Sequence, residues 1–138
     1  MSYPTSAEPP FATGLYWRKS LLNARKCIPV ILVLADGLLT MSDKSSRVFS
    51  IPASQISLRR SRWGTLLITC GSTTYALVGR GGDISPQFTD EQIAHLDKLG
   101  APTPPKPMRP SRAGSGQAML FNTEPLAARL RQAGATVS

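Results

Sequence analysis

The chain is poor in the residues that metal sites and catalytic centres use most often. Its 138 residues include one histidine and two cysteines. Neither Cys27 nor Cys70 has a second cysteine or a histidine close by, so no metal-binding spacing is present. Hydrolytic catalysis would have to use His95, and no serine lies in a nucleophile-elbow pattern. We therefore predict that the chain is not an enzyme and holds no metal or cofactor.

The chain also lacks a long apolar run. The longest, Ile28 to Ala35, is far short of the roughly 20 residues that a membrane-spanning helix needs, and no secretory signal pattern is present. We expect a cytoplasmic protein; if it meets a membrane, it does so from the surface of the inner face or through a partner. In that reducing compartment Cys27 and Cys70 are expected to be buried thiols. A disulfide between them stays open, because Cys27 precedes one predicted strand and Cys70 ends another.

Acidic residues are scarce relative to basic ones. The sequence has 16 Lys and Arg against 8 Asp and Glu, a formal net charge of +8. Such an excess favours an anionic partner, which could be nucleic acid, a lipid surface or an acidic protein. The basic residues are spread along the chain rather than massed in one block, which is also typical of a surface that serves solubility. A chain of this length is expected to form one domain.

Short apolar segments alternate with turn residues through the middle of the chain, at a spacing typical of antiparallel strands. The turn Asp36-Gly37 predicts a type I′ hairpin, since both of its central positions need positive φ. The predicted strands are 28–35, 38–41, 47–51, 55–60, 65–70 and 73–78.

The N-terminal segments are less regular. Residues 1–14 are rich in Pro, Ser and Thr, and we predict a flexible tail there, with the domain spanning 15–138. Residues 15–26 fit a short helix that caps the core with Trp17, a basic helix on a membrane, or a strand that packs Trp17 on the sheet. Of the two helices we favour the one that caps the core, and the strand stays open.

An insertion is predicted at residues 80–116. It contains a helix at 89–99, with Thr89 and Gln92 as a capping box, and a proline-rich linker at 101–116. The apolar stripe of that helix is Ile93, Leu96 and Leu99, and Gly100 ends it.

After the insertion, residues 117–122 (QAMLFN) are predicted to form the last strand. A final helix follows from Thr123, with Pro125 in its first turn and Gly134 at its end. Leu126 and Leu130 share one face of that helix.

Six or seven short antiparallel strands followed by an amphipathic helix is the order of elements in a pleckstrin-homology (PH)-like barrel. The chain resembles the bacterial PH-like and GRAM-like domains in VILVLADGLLTM, VFSIPASQISLRR and GTLLITCGSTTYALV. The resemblance covers 28–78 and is completed by 117–134. It implies a mainly β (α+β) fold: an antiparallel barrel of about seven strands, closed by a C-terminal helix, with an inserted helix before the last strand.

The family resemblance also bears on function. It implies a binding or scaffolding module rather than an enzyme. PH domains that bind phosphoinositides usually carry Lys and Arg around the first hairpin loop. Because Asp36-Gly37 stands at that place, we expect no inositol-phosphate binding there.

Two groups of residues are candidate binding sites. The first is a basic cluster that could grip phosphate or carboxylate, with a Trp that could stack or enter a headgroup layer. Its members are Arg18, Lys19, Arg59, Arg60, Arg62 and Trp63; the alternative is a solvated hairpin end with Trp63 folded over the barrel. The second group is a pair of overlapping PxxPxR patterns that could serve as a polyproline ligand or simply as a linker. They comprise Pro104, Pro107, Arg109, Pro110 and Arg112.

Three functions remain open. The first is a non-catalytic module that binds a protein partner through an exposed strand edge or the apolar end of the barrel. The second is a peripheral membrane module that binds anionic lipid. Nucleic-acid binding is less favoured, since neither a recognition helix nor aromatics interleaved on a strand are present.

Overall fold

A computed structural model describes residues 10–18, 27–61, 65–78, 86–101 and 115–137, with the backbone alone for 115–122. The six strands predicted between residues 28 and 78 are all present, each to within one residue at either end, and a further strand precedes them. The elements are β1 (Phe11–Trp17), β2 (Ile28–Ala35), β3 (Leu38–Ser42), β4 (Arg47–Pro52), β5 (Ile56–Arg60), β6 (Leu66–Cys70), β7 (Thr73–Val78), α1 (Asp90–Lys98), α2 (Ser115–Gln132) and β8 (Thr136–Val137).

The strands form one curled sheet in the order β4-β3-β2-β1-β7-β6-β5-β8. All neighbours are antiparallel except β5 and β8. The rings of Phe49 on β4 and Tyr75 on β7 lie 4.8 Å apart between centroids, although three strands separate β4 from β7 in the sheet. The sheet therefore rolls up on itself. This arrangement confirms the predicted PH-like, mainly β fold with a C-terminal helix.

The turn between β2 and β3 has the predicted geometry. Asp36 has a φ of 54° and Gly37 a φ of 74°, as both central residues of a type I′ turn require. The register continues directly from Ala35 paired with Leu38. The dipeptide Asp36-Gly37 was therefore sufficient to predict this hairpin and its turn type.

The inner core fills the barrel and is closed by α2. Alternate residues of the strands point inward, among them Leu15, Leu32 and Ile68, which are fully buried. Leu126 and Leu130 of α2 are both 0% exposed and pack into the same cluster, which confirms their predicted shared face. Helix α2 thus belongs to the core rather than to the surface.

A second, smaller core lies on the outer face of β1, β2 and β7. Tyr16, Ile31 and Val78 are buried there beneath Phe88 and Leu96 of the α1 region. The rings of Tyr16 and Phe88 meet edge to face, 5.2 Å apart between centroids. Helix α1 therefore covers the outside of the barrel.

Helix α1 begins as predicted but turns a different side to the sheet. Thr89 and Gln92 form the capping box. Leu96 is buried as expected, but Ile93 and Leu99 of the predicted stripe are exposed. The helix and the residue before its cap pack on the sheet through Phe88, Gln92 and Leu96, which are spaced four residues apart. The polar Gln92 can be buried there because its Nε2 atom donates to the Pro29 carbonyl oxygen at 3.1 Å.

The flexible tail predicted through residue 14 and the favoured capping helix at 15–26 are wrong where the structure describes them, whereas the alternative of a strand that packs Trp17 on the sheet is confirmed. Residues 11–14, assigned to the tail, and residues 15–17, assigned to a capping helix, form β1 and pair with β2 along its whole length. Trp17 faces the inner core, with its ring 5.5 Å from that of Tyr75 between centroids. Both faces of β1 are covered, so its residues lack the alternation that marks a strand.

The strand predicted at residues 117–122 was also wrong. These residues lie within α2, which runs without a break through Pro125, so Pro125 is not in its first turn. Gln117, Ala118, Met119 and Leu120 are strong helix formers, and helix propensity prevails over the strand-like apolar run. The insertion therefore precedes a helix and not a last strand.

The two cysteines lie in different cores. Cys27 is buried in the outer core and Cys70 in the inner one, and no disulfide joins them. Burial raises the pKa of Cys70, so its thiol stays protonated and unreactive. Within the described parts of the chain, neither helix is long and apolar enough to cross a membrane.

Candidate functional site

Arg59 and Arg60, which the sequence grouped together, lie on opposite faces of β5. Arg60 pairs across the sheet with Leu66 on the inner face, where its guanidinium forms an ion pair with Glu124 of α2. Both side chains of that pair are partly exposed, so it contributes little to stability. Arg59 pairs with Leu67 on the outer face and is exposed. Of the two, Arg59 is the one available to a partner on the outside of the barrel.

Arg18 lies on the same outer face as Arg59. Its backbone N–H donates to the Ala76 carbonyl oxygen at 2.8 Å, and Ala76 is opposite Leu67, which is opposite Arg59. The two arginines therefore occupy one row across the sheet, about 14 Å apart at three strand spacings. Arg18 is half-buried, whereas Arg59 extends into solvent.

A row of hydroxyl groups lies beside the two arginines on the outer face. Ser57, Thr69 and Thr74 are opposite one another on β5, β6 and β7. The Oγ1 atoms of Thr69 and Thr74 are hydrogen-bonded at 3.0 Å. We call this surface the positive face; it consists of Arg18, Ser57, Arg59, Leu67, Thr69 and Thr74.

All residues of the positive face except Arg18 belong to a long stretch of chain without acidic residues. From Lys44 to Gly82 the sequence has no Asp or Glu. Opposite charge is placed elsewhere: Asp90, Glu91 and Asp97 lie on α1, and Glu124 faces Arg60. The described strands β4 to β7 therefore carry basic side chains with no carboxylate among them.

Several predicted site residues lie outside the described residues and stay predictions. From the basic cluster these are Lys19, Arg62 and Trp63. The whole PxxPxR pair, Pro104, Pro107, Arg109, Pro110 and Arg112, also lies outside.

The first hairpin connection is not where the sequence reading placed it. With β1 at Phe11–Trp17, the connection from β1 to β2 spans residues 18–27, and Asp36-Gly37 belongs to the second hairpin. The expectation of no inositol-phosphate binding, drawn from Asp36-Gly37, was therefore taken from the wrong loop. The first connection contains four basic residues, Arg18, Lys19, Arg25 and Lys26. Predicting a strand that ends at Trp17 would have shown that the first connection lies at residues 18–27.

A groove of about 280 Å³ opens at the start of β2. Its walls include Ile28 and Pro29 at the start of β2, Lys44 in the β3–β4 turn and Pro86 before α1. In the turn, Asp43 Oδ1 accepts the backbone N–H groups of Ser45 and Ser46, each at 2.8 Å. The Asp43 carboxylate is thus engaged with the backbone, and Lys44 is exposed beside the groove.

Metal chemistry has no support in the described parts of the chain. No group of three or more His, Cys, Asp or Glu side chains there is placed to hold a metal ion. His95 is exposed on α1.

Comparison with known proteins finds likeness among solved structures. No family model matches the chain, and no curated protein matches it significantly. Among solved structures, the solution structure of the PH domain of human oxysterol-binding protein-related protein 11 superposes with a TM-score of 0.40 and 14% identity, over 91% of this chain and 92% of that one. The fold class consequently rests on the strand order and the closing helix themselves.

Proposed function

We propose that the chain is a non-catalytic binding module whose positive face engages an acidic surface of a protein partner. The observation that carries this proposal is the placement of Arg18 and Arg59 in one row of the outer face. No described residue of β4 to β7 supplies a carboxylate to neutralise them. Arginine binds carboxylates in a two-pronged geometry, and the neighbouring hydroxyls can donate to further acceptors.

A protein suits this face better than nucleic acid does. Single-stranded nucleic acid is usually held by aromatic side chains on which the bases stack. The positive face has hydroxyls and Leu67 where such aromatics would be needed, while Tyr75 belongs to the inner core. An acidic protein surface requires only the charges and hydrogen-bond donors that this face offers.

Affinity capture tests the proposal and its alternatives together. The tagged protein would be recovered from its native cells with membranes gently solubilised and nuclease present, and we expect a stoichiometric protein partner. Arg59→Glu should weaken that association about ten-fold, because a like charge then faces the acidic partner. Lys98→Glu makes the same charge change at an exposed site on α1 and should leave binding unchanged.

Two results would count against this function. Equal binding by the Arg59→Glu and Lys98→Glu proteins would remove the positive face from the interface. Recovery of lipid or nucleic acid without a protein partner would contradict the protein-binding proposal itself.

Anionic lipid is a second candidate, favoured by the position of the first hairpin connection. The sequence of that connection has four basic residues, at 18, 19, 25 and 26, and the residues that follow it, Ile28 and Pro29, line the groove together with the exposed Lys44. Basic side chains attract an anionic membrane surface, each by about 1 kcal/mol at close approach.

Vesicle sedimentation tests the lipid candidate. Vesicles containing phosphatidylserine should pull down the protein at low salt and release it at high salt, since screening weakens the attraction. Lys44→Glu should reduce the bound fraction several-fold, whereas Arg131→Glu, at an exposed position on α2, should have a smaller effect. Equal losses in both variants would show that net charge alone matters and that the groove is not the contact.

A further inference from the structure

The guanidinium of Arg18 includes a donor group that the protein leaves unsatisfied. Its Nε–H group is buried, and no acceptor in the described parts of the chain lies within hydrogen-bond distance of it. A buried donor without an acceptor is unfavourable, because it has lost contact with water and gained nothing in return. The neighbouring strand β7 has no carboxylate that could approach it. Arg18 is therefore placed to receive an acceptor that comes from outside the chain.

A hydroxyl donor lies close to Arg18 on the same face. Arg18 is opposite Ala76 on β7, and Thr74, two positions from Ala76, is its diagonal neighbour at about 7 Å between Cβ atoms. The Oγ1 atoms of Thr74 and Thr69 share one hydrogen bond, in which only one of the two hydroxyls donates. The hydrogen of the other hydroxyl remains for a third acceptor.

This pair of donors suits a phosphate group better than a carboxylate. A carboxylate that pairs side by side with the Arg18 guanidinium directs both of its oxygens at that group. A phosphate monoester can pair in the same way and still has a third terminal oxygen, which can accept from the hydroxyl of Thr74. The arrangement of donors therefore favours a ligand with three acceptor oxygens over one with two.

The position of Arg59 indicates where the partner carries a second negative charge. Arg59 lies in the same row as Arg18, about 14 Å away at three strand spacings, which is too far for one phosphate group to contact both. An extended chain advances about 3.4 Å per residue, so four residues span this distance. Leu67 lies in the row between the two arginines and is half-buried, so it can contact an apolar side chain midway along such a segment.

We propose that the acidic partner of the positive face is phosphorylated, and that Arg18 and Thr74 bind its phosphate group. The phosphate is carried by a serine or threonine of an extended segment, whose short side chain holds it close to the sheet. A carboxylate four residues away in the same segment pairs with Arg59. This inference rests on the proposed function, because it specifies the chemistry of the partner that engages the same face.

A protein segment fits this row better than a phosphorylated lipid does. The row from Arg18 to Arg59 crosses the four adjacent strands β1, β7, β6 and β5. Its length matches a whole number of residues of an extended chain, and its middle is apolar where every second side chain of such a chain would face it. A phosphorylated lipid would supply the phosphate without the carboxylate at the other end of the row.

Synthetic peptides test this pattern, with binding to the full chain measured by fluorescence anisotropy. The probe contains pThr-Thr-Val-Thr-Glu, in which β-branched residues favour an extended backbone. The reversed order is measured as well, because the face does not fix the direction of the segment. We expect one of the two orders to bind about ten-fold more tightly than the same peptide with Glu in place of phosphothreonine. The peptide pThr-Thr-Glu-Thr-Val keeps the net charge and should bind several-fold more weakly, because its carboxylate then faces Leu67.

Variants of the protein assign the contacts. Arg18→Lys keeps the positive charge but removes the Nε donor, and it should cancel most of the preference for phosphate over Glu. Thr74→Val removes the hydroxyl at an exposed position and should reduce that preference a few-fold. Arg131→Lys makes the matched change at an exposed position on α2 and should leave the preference as it is. Circular dichroism checks that each variant is folded, and Thr74→Val tests the site by itself if Arg18→Lys is not.

Three results would overturn the inference. The first is equal affinity for the phosphorylated peptide and its Glu counterpart, and the second is a phosphate preference that Arg18→Lys and Thr74→Val both leave intact. The third is that neither order of the phosphorylated peptide binds, whether or not vesicles containing a phosphorylated inositol lipid do. The effect of Arg59→Glu on the captured protein partner is measured separately, so failure of this inference and failure of the proposed function can be told apart.

Discussion

Replacing Leu130 with alanine is expected to lower the free energy of unfolding by about 2–5 kcal/mol. Leu130 is 0% exposed and packs from α2 into the inner core beside Leu126. The substitution removes buried methyl groups and leaves a cavity. The surrounding strands are held in register by their hydrogen-bond ladders, so the barrel can close that cavity only in part.

Urea unfolding followed by circular dichroism measures this effect. The control is Arg131→Ala, the next residue along α2, which is exposed and should change stability by less than about 0.5 kcal/mol. A Leu130→Ala cost no larger than that of Arg131→Ala would mean that α2 does not close the barrel.

Replacing Gly14 with alanine is expected to loosen the packing of α1 on the sheet while leaving the barrel folded. Glycine within a strand normally costs roughly 0.5–1 kcal/mol relative to alanine, so this exchange would ordinarily stabilise the protein. At Gly14 the sign reverses, because the new methyl group would stand 2.9 Å from Phe88 Cζ. The side chains of Phe88 and Leu96 must then shift outward, and overpacking of this kind costs about 1–3 kcal/mol.

The two cysteines report this change separately. In the Gly14→Ala protein we expect Cys27 to react with a thiol reagent and Cys70 to stay protected, with a small loss of helical signal in circular dichroism. A double variant tests the cause: in a Phe88→Ala background, adding Gly14→Ala should cost much less, since part of the obstructing ring is gone. Greater stability with Cys27 still protected would contradict the tight packing of Phe88 against Gly14.

Most of the sheet could be predicted because its signals are local. The turn at Asp36-Gly37 depends on the φ angles of two adjacent residues, and in β5 the buried Ile56 and Leu58 alternate with the exposed Arg59. The capping box of α1 likewise depends on residues three positions apart. In each case the interaction that decides the structure lies within a short window of sequence.

What could not be predicted depends on contacts between distant residues. Strand β1 is buried on its outer face by α1, which follows more than seventy residues later, so no short window contains the reason for its composition. Without β1 the hairpins were counted from the wrong strand. The alignment of Arg18 with Arg59 across the sheet could not be predicted for the same reason, because it depends on the pairing of β1 with β7.

Residues 117–122 illustrate a different limit. An apolar run of this length fits a buried strand or a helix segment equally well, and its periodicity does not decide between them. Here the chain continues as α2 through Pro125, whose missing N–H would normally favour a helix start at that point. Because of Pro125, the sequence analysis placed a helix start at Thr123 and divided one helix into a strand and a shorter helix.

Burial on both faces of β1 has a consequence for how this protein can vary. Every residue from Ala12 to Tyr16 is buried, so the strand has no solvent-facing position at which a polar or larger residue could be accepted without cost. In most strands of a small barrel, about half of the positions face solvent and tolerate substitution. Strand β1, which the sequence pattern marks least clearly as a strand, therefore tolerates the fewest substitutions. A substitution in β1 must be matched by one in α1 or in the barrel interior.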